Sequence, residues 1–314
     1  MASRYAVKAR GCTSSRENAY RDVSTALYTV DASMSLWSEE SEVSKFNRLE
    51  PRVPFTLSED LAKVMIEAFD VHAKTRGRFD PGLGQVIEVW GLGAKERGPP
   101  SLLELRQARA NSGRDALALE GGTLRKLRPV ALDVTSIADG YAVDRAAERM
   151  RSNCEEFIVE AGGEVSARGK WPLEIRHPSN PQASLASLYL ENSTASTSGL
   201  SAKRTMDGKR ISHIIDPGTG QPGGFAVSVT VFGPKCVTAD GLSTALVLTP
   251  ESELDETMIR FPGYSALVVF EERETFRIRS VGSVPDFTCT HPVEPERLHL
   301  PGNRKDDRKL QACR

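Results

Sequence analysis

Two short stretches of this chain carry side chains that could act together on one substrate. Ser212 to Gly220 sets His213 just before an Asp216-Pro217 turn, and Ala239 to Ala245 sets Asp240 and Thr244 four residues apart. That spacing puts a carboxylate and a hydroxyl on one face of a helix. Such a pair suits a hard cation such as Mg²⁺, which takes oxygen ligands and keeps water or substrate oxygens in its shell. The same residues also read as a helix cap at Asp240 followed by an ordinary threonine. His213, with an ordinary pKa of about 6.5, can take a proton at neutral pH or serve as a structural histidine.

Other stretches could hold the rest of a ligand. Asp133 to Tyr141 joins an extended segment to an amphipathic helix, and its small polar residues Thr135 and Ser136 leave amide N–H groups open to an anion. Asp133 could fix a hydroxyl or an amide edge, or simply cap the junction. Ala161-Gly162-Gly163-Glu164 permits close backbone approach, or a tight hairpin. Thr197-Ser198-Gly199 reads as a polar cradle or a loop, and Trp37 and Phe79 as stacking partners or core.

Several chemistries are disfavoured. There is no G-x-G-x-x-G fingerprint, no Walker phosphate loop and no G-x-S-x-G elbow, and His72, His177, His291 and His299 lack metal-ligand spacing. With 41 basic and 42 acidic side chains the net charge is −1, which gives no footprint for nucleic acid. No apolar run approaches the roughly 20 residues that span a bilayer. The first residues show neither a signal core nor a lipid-attachment cysteine, so a cytoplasmic chain is expected, or a periplasmic one whose leader lies outside this sequence. Cys12, Cys154, Cys236, Cys289 and Cys313 are odd in number and share no C-x-x-C spacing, and they read as reduced thiols.

The elements that must position these residues form an α+β pattern. Helical spacing covers 17–30, through Val23, Ala26, Leu27 and Val30, and 139–152, through Ala142, Val143, Ala146 and Met150. Thr56-Leu57-Ser58-Glu59 is a capping-box pattern for a helix that should run to Gly77. Shorter helices are expected over 101–110, 240–248 and 251–259. Extended chain is expected over 124–133, and β-type runs over 157–160, 171–176, 187–190, 227–232 and 264–270. Residues 91–101, rich in Gly and Pro, mark a loop between lobes. One domain over 1–287 is expected, followed by a mobile tail over 288–314 that is rich in Pro, Lys, Arg and Asp.

In their order, these segments resemble the ApbE family, the FAD:protein FMN transferases. The resemblance rests on Met34 to Trp37 with Ser41 to Asn47, on Phe79-Asp80-Pro81 with Trp90-Gly91, and on Asp133 to Asp144. Ala161-Gly162-Gly163, Thr197-Ser198-Gly199, Ser212 to Gly220 and Ala239 to Ala245 complete it. It implies an α+β fold of two lobes, with mostly antiparallel strands, inserted helices and a flavin cleft between the lobes. It further implies an Mg²⁺-dependent enzyme that moves the FMN half of FAD onto a Ser or Thr hydroxyl of an acceptor flavoprotein and releases AMP. Carried over by position, Ser136, Asp240 and Thr244 match the metal ligands and His213 the catalytic histidine. Trp37, Arg78, Phe79, Asp80, Asp133, Asp139, Ile214 and Ile215 fall on FAD-contacting positions. Gly82, Asp139 and Val237 depart from the usual residues, Val237 standing where some members have a further acidic ligand. A FAD pyrophosphatase giving FMN and AMP, or a flavin binder without catalysis, would share most of these residues.

Overall fold

Serine side chains decide where the first helices begin, because each accepts an amide proton that a helix start leaves without a partner. After strand β1 (Tyr5–Cys12), Ser15 accepts from Asn18 N to open α1 (Arg16–Met34), and Ser41 accepts from Ser44 N to open α2 (Glu42–Arg48). β2 (Phe55–Thr56) precedes α3 (Glu59–Lys74), whose cap is Ser58 through Leu61 N. Thr56, the expected cap, lies in the strand instead. α3 stops at Lys74, and Gly77 closes the turn with φ +81° and its N–H on His72 O at 2.9 Å. α4 (Gly84–Val89) follows, then α5 (Leu102–Ala110), which has a complete capping box between Ser101 and Glu104. β3 (Leu117–Glu120), β4 (Thr123–Lys126) and α6 (Thr135–Arg151) complete this half. Only the start of the expected 124–133 run is strand.

The second half is strand-rich, as its alternating and continuous apolar runs require. β5 (Cys154–Ala161), β6 (Glu164–Arg168), β7 (Lys170–His177), β8 (Asn180–Glu191), β9 (Thr194–Gly199), β10 (Ala202–Met206), β11 (Lys209–Ser212) and β12 (Ser228–Gly233) lead to α7 (Cys236–Val247) and α8 (Leu254–Ile259). β13 (Ser265–Glu272), β14 (Thr275–Val281), β15 (Phe287–Cys289) and β16 (Leu310–Cys313) end the chain's regular structure. This computed structural model describes residues 5–93, 97–200, 202–206, 209–273, 275–290 and 310–313.

An eight-stranded sheet in the order β1-β5-β6-β9-β12-β13-β14-β16 forms the body, with antiparallel pairing throughout. Both of its faces are covered. Val229, Val231, Ala266 and Val268 point into the main core with α1, α3, α6 and α7. Their neighbours Leu267, Val269 and Ile278 meet the three-stranded sheet β15-β8-β7 through Trp171, Ile175 and Leu188. A third, small core joins α4 and α5 through Val86, Trp90 and Leu105 with Ile215. Among the described residues no helix is long and apolar enough to cross a membrane.

The cysteines depart from expectation. Cys12 and Cys154 sit directly opposite in the β1–β5 register and form a disulfide, and Cys289 pairs with Cys313 across β15 and β16. Only Cys236 is a free thiol, and it is buried. Strand pairing, which no local spacing encodes, brings Cys12 and Cys154 together across 142 residues. The expected mobile tail likewise meets structure at both ends, in β15 and β16. Residues 291–309 lie outside the described residues.

Candidate active site

α7 is buried along almost its whole length, so a carboxylate within it must find partners inside the protein. The helix starts at Cys236 because Asp144, from α6, accepts the Cys236 and Val237 N–H groups at 2.9 Å each. Asp240 is therefore no N-cap. It lies in the second turn, 4% exposed, and its Oδ2 accepts a hydrogen bond from Gly140 N of α6 at 2.9 Å. Gly140 permits this contact: a Cβ there would stand 2.5 Å from Cys236 O and 2.7 Å from Asp240 Cβ.

Asp240 opens onto a cavity of about 430 Å³ that collects all the residues expected to bind metal or FAD, and His213 with them. Thr244 lies one helical turn along from it, and Ser136 and Asp139 come from the start of α6. Ser136 departs from helical geometry (φ −84°, ψ 16°), which splits a short first turn from the rest of α6. Asp133 precedes that turn, and its Oδ1 accepts from Thr135 N at 2.9 Å and Thr135 Oγ1 at 2.6 Å. It therefore fixes the junction, whatever else it touches in the cavity.

The opposite wall comes from the Arg78–Asp80 segment and from His213 to Ile215. Arg78 pairs with Glu253 at 2.6 Å, while Phe79 is buried and its carbonyl lies 2.9 Å from His72 Nδ1. Asp80 accepts from Gly82 N at 2.7 Å and Arg114 N at 3.1 Å, so it holds its own loop. Burial raises its carboxyl above the ordinary range. His213 faces the cavity between Ser212, which binds Ile214 N, and the two buried isoleucines. Ile214 belongs to the main core and Ile215 to the small one, so this segment bridges the lobes that flank the cavity. Trp90 Nε1 donates to Gly220 O at 2.8 Å and fixes the turn that follows. Trp37 stands at the rim with 61% of its surface exposed, an unusual amount for so large a ring.

Two cavity residues have roles that the sequence did not suggest. Glu164, the first residue of β6, is 7% exposed and lines the cavity beside Asp240 and Asp139. Its Oε2 accepts from Gly163 N at 2.9 Å and its Oε1 from Ser196 Oγ at 3.2 Å. The other is Ser198, which lies in strand β9, where a cradle or loop was expected, and its Oγ is 3.0 Å from Thr244 Oγ1. Val237 packs into the main core outside the cavity.

The crowding of acids has an electrostatic consequence. Burial above all, then the charges of Glu164 and Asp139, push the Asp240 carboxyl well above its ordinary range. Burial, reinforced by Asp139, raises Glu164 to about 7. Carboxylates held this way in a polar cleft favour a cation among them. Among the described residues, however, no three His, Cys, Asp or Glu side chains are arranged to hold a metal by themselves. The donor set of one or two carboxylates with hydroxyls fits Mg²⁺, whose shell is usually completed by water and substrate phosphate.

Known proteins share this architecture. The model of the ApbE family matches residues 1–268. FAD:protein FMN transferase from Haemophilus influenzae is 35% identical over 260 residues, 77% of this chain and 75% of that protein. Its counterpart from Vibrio cholerae is 36% identical over 243 residues, 73% of each chain. Among solved structures, the flavin transferase ApbE from Vibrio cholerae superposes with a TM-score of 0.81 at 30% identity, covering 90% of this chain and 94% of that one. The Pseudomonas stutzeri flavinyl transferase ApbE, apo form, gives 0.79 at 32% identity, covering 88% and 90%. With the fold, the ordered motifs and the cavity in agreement, this chain belongs to the ApbE family.

Proposed function

We propose that this chain transfers FMN from FAD to a Ser or Thr hydroxyl of an acceptor flavoprotein, releases AMP, and uses Mg²⁺. One observation carries the reading: a single cleft holds the acid–hydroxyl pair Asp240/Thr244, the imidazole of His213 and the exposed ring of Trp37. A cleft of this size, with apolar walls on one side and convergent polar groups on the other, suits a cofactor-sized ligand.

In the reaction, the acceptor hydroxyl oxygen forms a bond to the FMN-side phosphorus while the bond from that phosphorus to the bridging oxygen breaks, and AMP leaves with that oxygen. His213 takes the hydroxyl proton. Asp240 and Thr244, with Ser136 beside them, would hold Mg²⁺, which when bound neutralises charge on the phosphate oxygens. Trp37 provides a face for the flavin ring at the rim. Phe79, Ile214 and Ile215 supply apolar walls that keep water from the bound dinucleotide, while Asp133, Asp139, Asp80 and Arg78 shape the polar side of the cleft.

The test is incubation with FAD and Mg²⁺, with and without an acceptor flavoprotein domain. Flavin fluorescence retained on the denatured acceptor supports the reading. AMP and free FMN without labelled acceptor would make the protein a pyrophosphatase, and FAD binding without either product would make it a flavin binder.

A further inference from the structure

The side chains behind Thr244 form a chain of hydroxyls with only one consistent direction. Ser243 Oγ lies 2.9 Å from the Asp240 carbonyl oxygen, an atom that can only accept. Ser243 therefore gives its proton there, and its oxygen is left to accept. Ser198 Oγ, 2.8 Å from Ser243 Oγ, donates to it. Ser198 in turn accepts from Thr244 Oγ1 at 3.0 Å. The ladder runs Thr244 to Ser198 to Ser243 to the Asp240 carbonyl, and each hydroxyl spends its one proton along it. The Thr244 proton is thus turned toward β9, and its lone pairs are left for the cavity that it lines. Ser243 is fully buried, so water does not compete at the inner end of the ladder, while Ser198 and Thr244 reach the cavity wall.

We propose that Ser198 and Ser243 are positioning residues that present the Thr244 oxygen as an acceptor to the cation, and so set the divalent-cation affinity of the site. The proposal rests on the metal site of the function proposed above. A hydroxyl free to rotate would spend part of its time aiming its proton at the cation. The ladder removes that option, as outer partners commonly do for metal-bound side chains. It also accounts for the central hydroxyl of Thr197-Ser198-Gly199, since Ser198 acts through Thr244 and need not touch the substrate.

The experiment titrates Mn²⁺ into the full chain saturated with FAD and reads free Mn²⁺ by electron paramagnetic resonance, with FAD affinity measured separately in EDTA. Ser198→Ala and Ser243→Ala should each weaken Mn²⁺ binding by about 10- to 100-fold while FAD affinity in EDTA stays at the wild-type value. Ser198→Thr, which keeps the hydroxyl, should restore binding. Wild-type Mn²⁺ affinity in both alanine variants would overturn the proposal. So would a loss of FAD affinity in EDTA with Mn²⁺ binding unchanged, which would make Ser198 a substrate contact. A wild-type protein that binds no Mn²⁺ beside FAD would instead overturn the metal site itself, and the ladder's role with it.

Discussion

Gly140 N donates to Asp240 Oδ2 at 2.9 Å, so the one carboxylate inside α7 is held by the backbone of the helix packed against it. The contact exists because α6 carries no side chain at that point. In Gly140→Ala the added methyl would meet Cys236 O and Asp240 Cβ well inside contact distance, and α7 would have to move. We expect a loss of about 1–3 kcal/mol in stability. FMN transfer should fall further than the stability loss explains, as a comparison of denaturant unfolding with initial rates will show.

Asp240→Asn keeps the shape and the acceptor for Gly140 but removes the charge. Transfer should drop by about 10²- to 10³-fold, as when a preorganised electrostatic group is lost. Thermal stability without divalent cations should hold or rise, since burial and the charges of Glu164 and Asp139 already disfavour a carboxylate at this position. Parallel melting curves and gel fluorescence assays separate the two effects.

His213→Ala should slow transfer by about 10²- to 10⁴-fold while FAD still binds. A wild-type transfer rate in the variant would remove His213 from the proton transfer.

Two further buried carboxylates make stability depend on pH. Burial raises Asp144 to about 6, against the two backbone N–H bonds that lower it, and raises Glu164 to about 7. In both, the folded chain holds its proton where the unfolded chain has released it. Their contribution is therefore complete below the ordinary carboxylate range and is lost as pH rises from about 4 through 7. Melting temperature in EDTA should fall between pH 5 and pH 8, and added Mg²⁺ with FAD should recover part of it.

The oxidised protein should show no reactive thiol when native and one, Cys236, when unfolded. Replacing Cys12 and Cys154 by serine should cost about 2–4 kcal/mol, because the bridge closes a long loop. Thiol titration and denaturant melts check both statements.

Local signals in the sequence were good guides where a local cause exists. The short helix expected over 101–110 and the apolar stripe over 139–152 appear as α5 and α6. The β-type runs at 227–232 and 264–270 are strands buried on both faces. All twelve residues singled out for the site line one cavity, although their spacing alone could not separate a ligand from a cap. What stayed hidden depends on distant partners. Asp240 looked like a cap because nothing nearby shows that Asp144, on another helix, already fills that role. Glu164 looked like the end of a glycine turn, since the cavity it faces is built by α7 and β9. Thr194 to Gly199 is short, small and polar, and only pairing with β12 and β6 makes it a strand. The cysteine pairs follow from strand register, which no spacing rule contains.

The place of β16 at the end of the eight-stranded sheet has a consequence for how the molecule keeps to itself. Leu310 to Cys313 pairs with Phe276 to Arg279 and so occupies the hydrogen-bonding edge of β14, while the Cys289 bridge holds it there. Without those residues, β14 would offer a row of unsatisfied amides and carbonyls to any extended chain that met it. β16, four residues long, thus replaces the seven-residue β14 with a shorter edge, fastened by a covalent latch, and a short edge offers less to an aggregating chain.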